Sequence, residues 1–97
     1  MADLGMAAKT RPVVVVSRYD EDPPWVLVIY VPLASEDRGS EYEVKMPKLP
    51  FLRMEGVANA QGVASLPVKR LERRLGVLPA DVMERIKKAL RFALDLD

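Results

Sequence analysis

"RPVVVVSRYDEDPPWVLVIYVP", residues 11–32, decides the fold. Val13 to Val16 are β-branched and unbroken, the composition of a strand buried on both faces or paired at the centre of a sheet. Pro12 is tolerated only at the start of such a strand, where its missing N–H costs no ladder bond. "SRYDEDPP", residues 17–24, is a turn by its charge and its prolines. Trp25 to Val31 then form a second, longer strand, which Pro32 ends or kinks because proline cannot donate to the ladder. Two neighbouring strands this apolar predict an antiparallel core. The same stretch aims Arg11 at the mouth of a buried strand, and that placement needs a reason.

Downstream, "LASEDRGS" (33–40) is a polar loop closed by Gly39, and "EYEVK" (41–45) alternates. Its pattern puts Tyr42 and Val44 on one face while Glu41, Glu43 and Lys45 meet solvent. Pro47, Pro50 and Pro67 argue against helix at either end of the next stretch, whose small apolar residues from Gly56 to Leu66 read as one or two short strands. In "PADVMERIKKALRFALDL" (79–96), Val82, Met83, Ile86, Ala89, Leu90, Ala93 and Leu94 follow the spacing of an amphipathic helix. Pro79 suits its first turn, and acids early with bases late match the helix dipole. The expectation is four to six strands followed by one helix. No repeat, linker or low-complexity region divides the chain, so residues 1–97 read as a single domain.

Composition narrows the chemistry. A chain of 97 residues holds one core and, at this size, gains from dimerisation. Lys plus Arg number 15 against 14 Asp plus Glu, so any nucleic-acid site must be a local patch. No cysteine and no histidine occur. Disulfides, thiolate nucleophiles, a histidine base and the commonest zinc ligands are thereby excluded. What remains for chemistry is Arg, Lys, Asp, Glu, Tyr and hydroxyls. The apolar runs are far shorter than the ~20 residues that span a bilayer, and the four valines are too short for a signal peptide. A cytoplasmic protein is expected.

The order of pieces carries more: "RPVVVVS", an apolar strand ending "VPLAS", a polar loop into "EYEV", "GVANAQGVASL", "RLERRLGVL", and a helix ending "ALRFALDL". From Asp3 onward this resembles the MazF/PemK (Kid) toxins, the mRNA interferases of toxin–antitoxin systems. The resemblance implies a small SH3-like antiparallel β-barrel with a C-terminal helix, usually a homodimer, without metal or other cofactor. It implies cleavage of single-stranded RNA, and an antitoxin protein that blocks the RNA groove with an acidic tail. Metal-free cleavage uses the substrate's own 2′-hydroxyl as nucleophile, which needs a base, an acid and a cation for the charged transition state. The resemblance places Arg11 beside the scissile phosphate. Arginine suits that place because its planar fork holds a phosphate bidentately and keeps its charge. The plain alternative is a surface arginine paired with a nearby acid.

Other site residues follow with departures from the family pattern. Where relatives carry two hydroxyl residues after the proline of the second apolar strand, this chain has Ala34-Ser35, leaving Ser35 as the one hydroxyl for the phosphate. Gln61 and Gly62 stand where relatives have an acid and a glutamine, and an amide cannot act as a base. Ala64 stands where some relatives have an arginine. Relatives also begin with a Gly-Asp-apolar-Trp strand ahead of the match to Asp3-Leu4, so the first strand reads as truncated. Arg38, Lys45 and Lys48 flank the expected RNA path, and Arg38, Lys45 and Gln61 are the RNA-binding candidates. Tyr19, Trp25 and Tyr30 offer stacking faces, although Trp25 and Tyr30 read more simply as core. "KRLERR" (69–74) is the densest basic patch. Two readings therefore stay open: a weakened endoribonuclease, or an inactive relative that binds an antitoxin or RNA without cutting it.

Overall fold

A computed structural model describes residues 2–6, 9–52, 56–71 and 74–96, with residues 2–6, 9 and 10 traced by backbone alone. In chain order it contains strands β1 (Ala2–Met6), β2 (Lys9–Val15), β3 (Leu27–Ala34), β4 (Glu43–Lys45) and β5 (Val57–Asn59), then a 3-10 turn (Ala60–Gly62). Strand β6 (Ala64–Pro67), a second 3-10 turn (Val68–Arg70) and helix α1 (Ala80–Ala93) complete it. Every strand pairing is antiparallel, in the order β1-β2-β3-β5-β4, with β6 also lying against β3.

The valine strand is buried on both faces, as its composition requires. Val13 is 0% and Val14 1% exposed, and they belong to separate apolar clusters on opposite sides of the sheet. Its partner β3 begins at Leu27 rather than Trp25 and runs through Pro32 to Ala34. Pro32 does not end the strand, and hydrogen-bond alternation gives the reason. The Val16 N–H donates to the Ile29 carbonyl at 2.9 Å. In the register of Val14 with Val31, the bonded pairs on this side are therefore Val16–Ile29 and Val14–Val31, and Pro32 meets Val13 at a pair that exchanges no bonds. The missing N–H thus points to the other edge of β3. There the 3-10 turn Ala60–Gly62 interrupts the neighbour, which changes from β6 (opposite Leu27 to Tyr30) to β5 (opposite Leu33 and Ala34).

Trp25 is not core. It is 74% exposed, in the bend after Pro23-Pro24, where the Leu27 N–H bonds the Trp25 carbonyl at 2.8 Å and the strand has not yet begun. Tyr30 is core, at 9% exposure. The expected class, antiparallel β with a C-terminal helix, holds; closure into a barrel does not. Among the described residues β1 and β4 end the sheet without pairing to each other. β4 has three residues, and α1 packs beside it where a closing strand would lie.

Helix α1 supplies the larger core. Val82, Ile86 and Ala89 sit against Val14, Val31, Leu33, Val44, Met46, Ala58 and Ala60 of the sheet, with Leu78 leading in. Leu94, counted with that apolar stripe, lies past the helix and is 52% exposed. The helix ends where Asp95 takes a left-handed φ of 57°, and the Leu96 N–H returns to the Arg91 carbonyl at 2.8 Å. Among the described residues the opposite face carries a smaller cluster of Val13, Tyr30 and Leu66, flanked by Val15, Val28 and Leu71, with Val57 buried apart from it. No helix among the described residues is long and apolar enough to cross a membrane.

Candidate functional site

The helix-free face is where the candidate residues collect. Side chains alternate along a strand, so Arg11 shares the face of Val13, two residues on. Pro32 opposite Val13 lies on the same face, and so does Ala34. The recorded β2–β3 ladder ends at Val13–Pro32, and two residues further in the same register stand Arg11 and Ala34. Ala34 is paired with Val57, which is paired with Lys45. A cross-strand row runs Ala34, Val57, Lys45, and Arg11 lies beyond the last β2–β3 pair, on the side of the sheet that this row shares. Arg11 and Lys45 are both exposed.

Further inward Val13 pairs with Pro32, and Asn59 pairs with Glu43. The floor here is tightly made. A Cβ added to Gly62 would lie 2.8 Å from the Pro32 ring, so the 3-10 turn Ala60–Gly62 rests on Pro32 because residue 62 has no side chain. Asn59 caps that turn, its Oδ1 accepting the Gln61 N–H at 3.1 Å. Gln61 thereby stands exposed beside the proline, two pleats from Arg11. Asn59 was missed in the sequence, although an asparagine two residues ahead of the candidate amide is itself a turn-capping signal.

Ser35 is exposed in the bend immediately after β3. Gly56 closes in on it from β5. A Cβ there would collide with the Ala34 carbonyl oxygen and come 3.5 Å from the Ser35 Cα. The loop after Ser35 is built around Glu43. Its carboxylate accepts the Ser40 hydroxyl at 2.7 Å, the Ser40 N–H at 3.0 Å and the Arg38 N–H at 3.2 Å. These bonds, the Ser40 hydroxyl first, hold the Glu43 carboxyl below its usual range. Arg38 itself turns toward Glu36, at 3.5 Å between two exposed groups, a pair of little energetic weight. No hydrogen bond or ion pair among the described residues joins Arg38 to Arg11 or Lys45.

Arg11 and Lys45 thus lie on the helix-free face, Ser35 in the bend after β3 and Gln61 in the 3-10 turn after β5, while Arg38 and Lys48 stand in the flanking loops. Tyr19 is 85% exposed, beyond the start of β3 with Trp25. Of the 69–74 patch, Lys69, Arg70 and Arg74 are exposed, while Glu72 and Arg73 lie outside the described residues. The inner positions of the open face hold one carboxylate, Glu43, already engaged by its loop. Among the described residues no group of acidic side chains could hold a metal ion.

Known proteins share this design. Endoribonuclease MazF3 of Mycobacterium tuberculosis is 29% identical over 89 residues, 92% of this chain and 86% of that protein. The Mycobacterium tuberculosis toxin MazF-mt6 superposes with a TM-score of 0.83 at 27% identity, covering 99% of this chain and 97% of the toxin. An endoribonuclease in complex with its cognate antitoxin, from a mycobacterial species, superposes with a TM-score of 0.86 at 25% identity, over 99% and 91%. The family described as PemK-like, MazF-like toxin of type II toxin-antitoxin system matches residues 2–94, and the chain belongs to that family.

Proposed function

We propose that the protein is a cytoplasmic toxin endoribonuclease that cleaves single-stranded RNA without a metal, with Arg11 holding the scissile phosphate. The observation that carries this reading is the position of Arg11: an exposed residue of β2 two positions ahead of the buried Val13, on the side of the sheet where Gly62 closes on Pro32. A rigid mount of this kind keeps an arginine fork aimed at one point, which is what stabilising a pentacoordinate phosphate requires. Attack by the 2′-hydroxyl on the adjacent 3′-phosphate, its proton passing to water, releases the 5′-oxygen of the next nucleotide, which takes a proton from water, and leaves a 2′,3′-cyclic phosphate. Arg11 offsets the charge that builds on the phosphate oxygens, and Ser35, at the adjoining strand end, donates a hydrogen bond to the same group. Gln61 and Lys45 bind the strand on either side, Gln61 through the edge of a base and Lys45 through a phosphate. Arg38 meets RNA from the neighbouring loop. Relatives in complex with an antitoxin support an antitoxin partner, and the reading extends to a homodimer whose open face that antitoxin covers.

A second reading rests on a specific feature of the same face. Ala34 and Gln61 leave its inner positions without a free carboxylate or a second hydroxyl, so no side chain there is placed to take the 2′-proton. A protein with that face would bind RNA or antitoxin and not cut. Purified protein incubated with a long single-stranded RNA in EDTA separates the two. Discrete cuts that persist in chelator and fall roughly 100-fold in Arg11→Ala support the enzyme. Tight binding with no cut leaves the binding protein.

A further inference from the structure

Lys45 belongs to two places at once. It ends the row Ala34, Val57, Lys45 on the side of the sheet that carries Arg11, and it also stands on the rim of an open cleft of about 380 Å³ between the outer edge of β4 and α1. Val44 and Ala89 form the cleft's floor and Phe92 one wall. Phe92 is 49% exposed, and its ring meets Tyr42 edge-on at 5.1 Å, which leaves a half-open aromatic surface fixed in orientation. Further along α1 the cleft continues into a second hollow bounded by Lys88, Arg91, Phe92, Asp95 and Leu96.

The cleft is lined by Lys45, Arg85 and Lys88 together with Glu41 and Glu43, and the second hollow by Lys88 and Arg91 with Asp95. Arg85 is drawn to Asp81 at 3.6 Å, and Glu43 is occupied by the Arg38–Ser40 turn. The side chains of Lys45, Lys88 and Arg91 make no hydrogen bond or ion pair among the described residues, and Lys88 and Arg91 follow one another at a helical spacing of three. Cations in line beside an exposed, immobilised ring are the elements of a single-strand nucleic-acid groove: charges for the backbone and a platform for a base. Lys45, paired through Val57 to Ala34, links the cleft to the end of β3.

We propose that the α1–β4 cleft is a second RNA-contact site, receiving the single-stranded RNA that flanks the segment held at Arg11, with phosphates on Lys45, Lys88 and Arg91 and a base on Phe92. This rests on the RNA reading given above. The cleft binds length rather than sequence, so it favours cleavage within long single-stranded regions over short fragments.

Binding of two RNAs made uncleavable by 2′-O-methylation tests it, one of about 7 nucleotides and one of about 20, measured by anisotropy across a salt series. The longer RNA is expected to bind more tightly and with a steeper salt dependence. In Lys88→Ala/Arg91→Ala, both exposed positions, affinity for the longer RNA falls roughly tenfold and its salt slope drops by about 1.4, while the shorter RNA binds as before. Phe92→Leu lowers the longer RNA's affinity without changing the slope. If the double variant keeps the full advantage of the longer RNA, the cleft is not an RNA site. If it keeps that advantage but loses binding to a poly-glutamate peptide, the cleft is a protein-docking surface and the proposal falls. If the wild type binds the shorter RNA but gains nothing from length, this proposal alone falls; if neither RNA binds, the reading at Arg11 falls with it.

Discussion

The two faces of one sheet divide the work of the molecule. The face under α1 draws eleven buried residues from strands, 3-10 turn, helix and the approach to it into one cluster, whereas the other face buries only Val13, Tyr30 and Leu66 as a cluster of its own. Alternation along β2 and β3 assigns consecutive residues to opposite duties: Val14 and Val31 to the helix, and Val13 and Pro32 to the base of the candidate site. A chain this short cannot cover both faces. The one it leaves open is the one that presents Arg11.

The sharpest way to break this division is to make each face fail alone. Ile86 is 0% exposed at the centre of the helix-covered cluster, and Ile86→Ala is expected to cost about 2–5 kcal/mol of stability. A domain with about 5–15 kcal/mol in total loses a large share of it, read as a fall in the urea midpoint. Arg11→Ala should do the reverse, changing stability by no more than about 0.5 kcal/mol while RNA cleavage falls. Equal unfolding midpoints for the two variants would erase the distinction between the faces.

Gly56→Ala strikes where the two duties meet. Its Cβ would drive into the Ala34 carbonyl, a backbone atom with no rotamer to retreat into, while the Gly56 carbonyl is held by the Met46 N–H at 2.9 Å. Overpacking of this kind costs about 1–3 kcal/mol, a fall in Tm of roughly 4–8 °C for each kcal/mol. Because the displaced segment is Ala34-Ser35, RNA affinity should drop along with stability. A loss of stability with unchanged RNA binding would separate the end of β3 from the site.

The same division marks what was legible in the sequence. The helix-covered face announces itself through periodicity: the valine run, the Tyr42/Val44 alternation and, Leu94 apart, the α1 stripe name residues that are buried or half-buried. Trp25 misled because periodicity says nothing of where a strand starts, and Pro23-Pro24 with the Trp25–Leu27 bond delay β3 by two residues. Pro32 misled because its effect depends on which edge of the strand its nitrogen faces, a property of pairing rather than of the residue. On the open face the amide at Gln61 was visible, but Asn59 was not. Its importance comes from a cap and from its pairing with Glu43, which is distant in the chain.

The smallest expected effect lies in the loop that links the faces. Glu43 accepts three hydrogen bonds from Ser40 and Arg38, and its carboxyl is held below the ordinary range. A group depressed in the folded state contributes order that is fully present above its unfolded value and is lost as pH falls through the lower folded one. The amide resonances of Arg38 and Ser40 should therefore stay unchanged through the ordinary carboxylate range and shift only on further acidification. Glu43→Gln, which keeps one acceptor but no charge, should abolish that response and leave the Ile86 core untouched. Resonances that move at the ordinary carboxylate value would mean that the bonds to Glu43 do not persist in solution. The loop after Ser35 would then be ordered by its attachment to β3 and β4 alone.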